Sequence, residues 1–351
     1  MEELTNKEFL REKHIKYFLR SLQCLPIPYS SLDTSRMTVL FFCLSGLDLL
    51  NALERIKNEH QNIINWIYSL QILPKNDESD TTKCGFRGSP FLGSRYQTEG
   101  SFSVSEMHES SHIAMTYTAL CSLIILGDDL SRVNRNAIIN GIKFLQKEDG
   151  SFYSTQDKNE NDMRFLYCAC CISYILQDWN GLDKTSAVNY IRMSMSYDYG
   201  LSQGPQLEAH GGSTYCGVAS LILMDKLEEC FNEKEIKFLK RWCLKRQKSG
   251  FQGRPNKPVD TCYSFWVGAS LKMLDFLKYS NFESNNEFII STQDTLVGGF
   301  SKWPDVHPDV MHSYLGLCGL SLMQLYNLSP LFPALNISER AYQHLRKIQT
   351  V

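Results

Sequence analysis

Asn232-Glu-Lys-Glu-Ile-Lys-Phe-Leu-Lys-Arg-Trp-Cys-Leu-Lys-Arg-Gln-Lys-Ser-Gly-Phe251 reads as a half-exposed helix that ends in a tight turn. Ile236, Leu239 and Trp242 fall at near-helical spacing among charged neighbours, so one side faces water. Asn232 with Glu235 three residues on marks a helix start. Past the glycine, residues 261–274 are apolar nearly all round, as in a helix buried on most sides.

The arrangement recurs. Glycine-aromatic or glycine-apolar turns stand at Gly85-Phe86, Gly150-Ser-Phe152, Gly200-Leu201, Gly250-Phe251 and Gly299-Phe300, at gaps of 65, 50, 50 and 49 residues. Gln146, Gln247 and Gln293 precede three of them, and Met195 takes that place in the third unit. Ile138, Ile142 and Leu145 repeat the amphipathic pattern before the second turn. Residues 112–126, 164–177, 211–224 and 312–326 repeat the all-round apolar pattern. Strand alternation is lacking. A period near fifty residues with two helices per unit is an array of helical hairpins. An open solenoid would have less apolar inner helices, so the reading is all-α: an α/α toroid, a closed barrel of about five repeats and roughly a dozen helices. One domain is expected over residues 1–351, with units around 60–110, 133–177, 183–225, 233–275 and 283–326. Residues 75–110 read as a long polar connection.

Composition sets the outer limits. The 351 residues are 43% hydrophobic and 21% charged, which suits a large buried core. A net charge of −2 makes no global case for nucleic acid. The acidic start carries no secretory signal, and the charge-free stretch from Ser313 to Ser338 is interrupted by Gln324, Asn327, Pro330 and Pro333, against a membrane span. Twelve cysteines scattered through apolar runs point to a reduced, cytoplasmic protein.

The register of the inner helices points at chemistry. Positions 112, 162, 212, 262 and 312 hold His112, Asp162, Gly212, Cys262 and His312, with His210, Asp260 and Arg164 close by. Asp260, Cys262 and His312 form a candidate zinc triad whose fourth position stays open, the catalytic pattern. The bland alternative is a capping Asp, a buried Cys and a surface His. His307 competes as a ligand but lies outside the register. Arg254, Lys257 and Tyr263, with His210 and Lys302, could cradle a diphosphate; an ordinary solvated basic loop is the competing reading. Cys168 and Cys171 lie in an apolar helix and read as core. Phe102, Tyr117, Phe165, Tyr167, Tyr263, Phe265, Trp266 and Tyr314 read as core, or as an aromatic funnel for a long unsaturated chain.

Several segments carry a family resemblance: His112-Ile-Ala-Met-Thr-Tyr-Thr118, Asn161-Asp-Met-Arg-Phe165, His210-Gly-Gly-Ser-Thr214, Gly253-Arg-Pro-Asn-Lys-Pro-Val-Asp-Thr-Cys-Tyr-Ser-Phe-Trp266 and Gly298-Gly-Phe-Ser-Lys-Trp-Pro-Asp305. They resemble the beta subunits of type I protein geranylgeranyltransferases, of the CaaX prenyltransferase family, over most of the chain. Residues 94–110 and the tail after Asn336 do not share the likeness.

The resemblance implies an α/α toroid that transfers a geranylgeranyl group from geranylgeranyl diphosphate to the cysteine of C-terminal CaaX motifs, mostly CaaL, as in Rho- or Rac-type small GTPases. It implies one catalytic zinc on Asp260, Cys262 and His312, and a diphosphate held by His210, Arg254, Lys257 and Tyr263. Lys302 stands where farnesyltransferases carry an Asp linked to magnesium, so magnesium is not required. Thr38 stands where they carry a bulky Trp, which leaves room for a fourth isoprene unit. Thr38, His112, Ala114, Arg164, Phe165 and Tyr167 then line the isoprenoid and peptide pocket. An obligate alpha subunit completes a heterodimer. A farnesyltransferase beta subunit and a non-catalytic toroid that binds peptides or isoprenoids are the alternatives.

Overall fold

The computed structural model describes residues 8–74, 81–92 and 110–350. Most of the expected 75–110 connection, and Phe102, lie outside the described residues.

Helices alternate between an outer and an inner position. Helix α1 (Arg11–Gln23) leads to α2 (Arg36–Leu49), and α3 (His60–Ser69) to α4 (Ile113–Ile125). Helix α5 (Arg135–Leu145) leads to α6 (Met163–Leu176), and α7 (Lys184–Met193) to α8 (Gly211–Met224). A four-residue helix α9 (Leu227–Cys230) precedes α10 (Glu233–Leu244) and α11 (Tyr263–Met273). The last pair is α12 (Phe282–Ser291) and α13 (Val310–Leu322), and α14 (Glu339–Gln349) follows. The second member of each pair packs on its counterparts in the next and previous pairs, and α13 packs on α2. The inner ring is therefore closed.

Five pairs are the hairpins read from the sequence. The first of them runs past residue 110, because its inner helix is α4. The sixth, α1–α2, escaped the reading: it has no glycine-aromatic turn and is joined by a 3-10 segment, Ile27–Ser35. Its inner helix nevertheless buries Met37, Leu40, Phe41, Leu44 and Leu47.

The recurring glutamines explain how each unit grips the next. Gln71, Gln146, Met195, Gln247 and Gln293 each bridge across the turn to Phe86, Phe152, Leu201, Phe251 and Phe300. The Gln247 side chain accepts from the backbone N–H of Asn281 at 2.9 Å and donates to its carbonyl at 2.7 Å. Gln146 clasps Asp183 in the same way. Asn281 and Asp183 are the caps of the next outer helices, α12 and α7. Gln293 closes the circle by holding Leu10 and Glu8 at the start of α1. Met195 cannot do this. The corresponding cap, Asn232, instead receives its backbone acceptor from Glu235 of its own capping box.

The end of the barrel where the inner helices finish is plugged by the C-terminal segment. Hydroxyls of Tyr215, Tyr167, Tyr117 and Tyr314, from four inner helices, donate to the carbonyls of Pro333, Ala334, Leu335 and Asn336 in turn. Buried Asp48 on α2 takes Arg340 Nε at 2.7 Å and pairs with Ser338.

Candidate active site and metal centre

The other end of the barrel gathers the starts of the inner helices. At five of the six starts, those of α4, α6, α8, α11 and α13, a side chain in or near the repeat register accepts a backbone N–H, while α2 has no side-chain cap. His112 Nδ1 accepts the N–H of Ala114 at 3.1 Å, and Asp162 that of Arg164 at 2.8 Å. His210 Nδ1 accepts Gly212 N–H at 3.0 Å, and Asp260 accepts Cys262 N–H at 2.9 Å. Asp309 accepts His312 N–H at 2.9 Å. Capping satisfies amides that a helix start leaves free. The bland reading of Asp260 as a cap is therefore true, and it still leaves one carboxylate oxygen for other work.

Asp260, Cys262 and His312 converge. Their ligand atoms lie within 4.8 Å of one another, and all three residues are buried. Asp260 and Cys262 lie at the start of α11, and His312 is in the first turn of the neighbouring α13. His307 is not part of the cluster. The electrostatics favour a cation there. Burial disfavours a charge on His312, yet hydrogen bonds to Asp260 and Asp309 outweigh it and hold its pKa up at about 9. Burial and the Asp260 charge push the Cys262 thiol well above its ordinary range. For Asp260, burial is outweighed by hydrogen bonds from His312 and Cys262, which lower its pKa. An oxygen, a sulfur and a nitrogen donor from three buried residues fit a tetrahedral zinc with one open position.

Asp309 is a site residue that the sequence reading passed over. Its Oδ2 lies 2.6 Å from Nδ1 of His312. That contact orients the ring and leaves Nε2 facing Asp260, 3.3 Å away. The available signal was an Asp three residues before a His at a helix start.

A cationic group adjoins this cluster. Lys302 Nζ lies 3.8 Å from Asp260 Oδ2. His210 Nε2 and the Tyr263 hydroxyl are 2.9 Å apart. Gly253 packs against the Tyr263 ring, and a Cβ there would come within 2.2 Å of it. Arg254 follows on that loop and pairs with Glu208 at 2.8 Å. Lys257 is exposed on the same loop.

Residues assigned to the pocket are placed less uniformly. His112 and Phe165 meet edge to face at 5.9 Å, and Arg164 lies over the Phe165 ring while pairing with Asp162 and Glu160. Thr38 donates to Met115 Sδ at 3.3 Å, and Ala114 begins the same helix as Met115. Tyr167 belongs to the buried tyrosine array against the plug, 2.8 Å from the Tyr215 hydroxyl.

Fold and site together define a catalytic toroid with a metal-competent triad beside a cluster of cationic and hydrogen-bonding groups. Residues 9–337 match the prenyltransferase alpha-alpha toroid domain, so the chain belongs to that family. It is 45% identical over 339 residues to the geranylgeranyl transferase type-1 subunit beta of Dictyostelium discoideum, covering 94% of this chain and 95% of that one. Identity to the Arabidopsis thaliana geranylgeranyl transferase type-1 subunit beta is 40% over 343 residues, covering 94% and 89%. The fold superposes on Candida albicans protein geranylgeranyltransferase-I, solved in complex with GGPP, with a TM-score of 0.84 at 28% identity, covering 97% and 99%.

Proposed function

We propose that this chain is the catalytic beta subunit of a cytoplasmic type I protein geranylgeranyltransferase. It transfers a geranylgeranyl group from geranylgeranyl diphosphate to the cysteine of a C-terminal CaaX motif, mostly CaaL, and works as a heterodimer with an alpha subunit. The observation that carries the reading is the convergence of Asp260, Cys262 and His312 directly beside Lys302, His210 and Tyr263.

Asp260, Cys262 and His312 would hold a zinc ion, which would supply the Lewis acidity needed to ionise a substrate thiol, of pKa about 8.5 when free, at neutral pH. The protein's own groups do the rest. As the carbon–oxygen bond to diphosphate weakens, negative charge gathers on the leaving group. Arg254, Lys257 and Lys302 supply positive charge there, and His210 and Tyr263 supply a directed donor. Lys302 takes the role of a second cation, so magnesium is not required. Arg164, fixed by Asp162 and Glu160, presents a cation to the substrate peptide. Thr38, His112, Ala114, Phe165 and Tyr167 line the pocket for isoprenoid and peptide.

A competition assay tests this. The chain is co-expressed with an alpha subunit and given zinc without magnesium, a CaaL peptide, and equal geranylgeranyl and farnesyl diphosphate. Predominant geranylgeranyl transfer is expected. Predominant farnesyl transfer would move the chain to the sister activity, and no transfer from a zinc-free complex would leave a binding toroid.

A further inference from the structure

Outer helix α10 presents a row of exposed cations along one face. Lys234, Lys237, Arg241 and Lys245 are all exposed and fall within about 80° of one another at 100° per residue, and exposed Lys248 continues the row into the turn. None of the five forms an ion pair among the described residues. The acidic neighbours are engaged or turned aside: Glu235 pairs with Arg192 and caps the helix, and Glu233 lies on the flank of the first turn. Helices α3 and α12 have no Lys or Arg, α5 has only Arg135 and Lys143, and α7 commits Arg192 to Glu235 and sets Lys184 over Trp179; α1 is as basic, but its Arg11, Lys13 and Arg20 are turned onto backbone carbonyls of Leu50, Thr295 and Val297. In a chain of net charge −2, five unpaired cations on one helix face are a marked local asymmetry.

The row leads towards the candidate site. Gln252 N–H donates to the Arg246 carbonyl at 2.9 Å, so the end of α10 folds back beside the loop that carries Arg254 and Lys257. The same loop ends at Asp260 and Cys262.

We propose that this ridge docks the protein on an anionic lipid surface. Obligate protein interfaces are poor in Lys at their centre, which argues against a covered subunit contact. A flat row of flexible, unpaired cations matches a plane of phosphate and carboxylate headgroups. The orientation sets the basic loop of Arg254 and Lys257 towards the bilayer. An amphiphilic diphosphate can then arrive from the membrane, and a lipidated product can leave into it. That purpose rests on the prenyl-transfer reading; the docking itself does not.

The test is vesicle co-sedimentation of the chain co-expressed with an alpha subunit, at low and high salt. Binding to phosphatidylcholine vesicles containing phosphatidylserine is expected, with none to phosphatidylcholine alone. The triple variant Lys234→Glu, Lys237→Glu, Arg241→Glu should lose about a hundredfold or more in vesicle affinity, since each cation is worth roughly a factor of five near such a surface. It should keep its helical circular dichroism and its transfer to a soluble peptide. Equal binding by both proteins, or no binding by either, would overturn the proposal. So would a triple variant that no longer holds the alpha subunit, which would assign the ridge to that partner. Because sedimentation needs no turnover, failure of the transfer reading would leave this result standing.

Discussion

Nε2 of His210 lies 2.9 Å from the Tyr263 hydroxyl, while Nδ1 of the same ring lies 3.0 Å from the N–H of Gly212. A backbone amide only donates, so Nδ1 is the acceptor. Burial and the nearby Arg254 charge lower the His210 pKa and keep the ring neutral at pH 7. The hydrogen-bond network thus assigns the proton to Nε2, which donates to the Tyr263 oxygen. Tyr263 retains its own proton for an anionic ligand. A helix cap has fixed the direction of a donor one repeat away.

Tyr263→Phe removes that donor. A hydrogen bond to a charged group is worth about 1.5–3 kcal/mol, so kcat/KM for the isoprenoid diphosphate should fall roughly ten- to a hundredfold. Combining it with His210→Ala should cost little more than the worse single variant, because the pair acts as a unit. Fully additive losses in steady-state kinetics would contradict the relay.

Asp309→Ala frees Nδ1 of His312 and loses the ring's orientation. Loss of such an outer-shell partner typically weakens metal affinity 10- to 100-fold. Chelator competition followed by zinc analysis would detect it. Zinc retention equal to the parent's would remove Asp309 from the site.

Lys302→Asp replaces a cation 3.8 Å from Asp260 with an anion. Transfer should drop and should recover in part when magnesium is added. A magnesium titration that leaves the variant's rate flat would count against the assigned role of Lys302.

Thr38 and Met115 touch across α2 and α4, a small side chain against a flexible one. Thr38→Trp should fill this part of the wall and shift preference towards farnesyl diphosphate. One isoprene unit is worth several kcal/mol of burial at about 0.8 kcal/mol per methylene, so a change of at least about tenfold in the ratio of kcat/KM values is expected. An unchanged ratio would show that Thr38 does not set chain length.

Acid should loosen the closure of the ring. His14 is fully buried between Gln293 and the N–H of Gly299, and burial first of all lowers its pKa from 6.5 to about 4. The folded state therefore binds this proton less readily than the unfolded chain. The stabilising contribution is complete above pH 6.5 and is lost as pH falls towards 4, an effect on the order of 3 kcal/mol. Urea midpoints measured across that range should fall. His14→Gln should be less stable at pH 7 and less steep with pH; an identical slope would assign the acid sensitivity elsewhere.

Much of the architecture was legible because it rests on local periodicity. Ile236, Leu239 and Trp242 announce an amphipathic helix without reference to the rest of the chain, and the fifty-residue spacing announces its copies. The α1–α2 hairpin was not legible, since its 3-10 link lacks the glycine-aromatic turn of the other units and its partner α13 lies at the far end of the sequence. The recurring glutamine was visible, but its purpose was not. Each one holds a cap more than thirty residues away, and only Gln293 reaches back to α1.

By itself the sequence determined the helices of five hairpins, their inner or outer character and the set of ionisable groups at those inner-helix starts, because these follow from side-chain type and from distances of a few residues. The tertiary structure decided which of those groups work together. Ring closure brings His312 to Asp260 and Cys262 from the next hairpin, and excludes His307 from that cluster only five residues away. It also turned three of the eight expected funnel aromatics into a floor, because Tyr117, Tyr167 and Tyr314, joined by Tyr215, meet the carbonyls of a plug that arrives from the C-terminal end of the chain. A buried hydroxyl must find an acceptor, and which acceptor it finds depends on where the whole chain comes to rest.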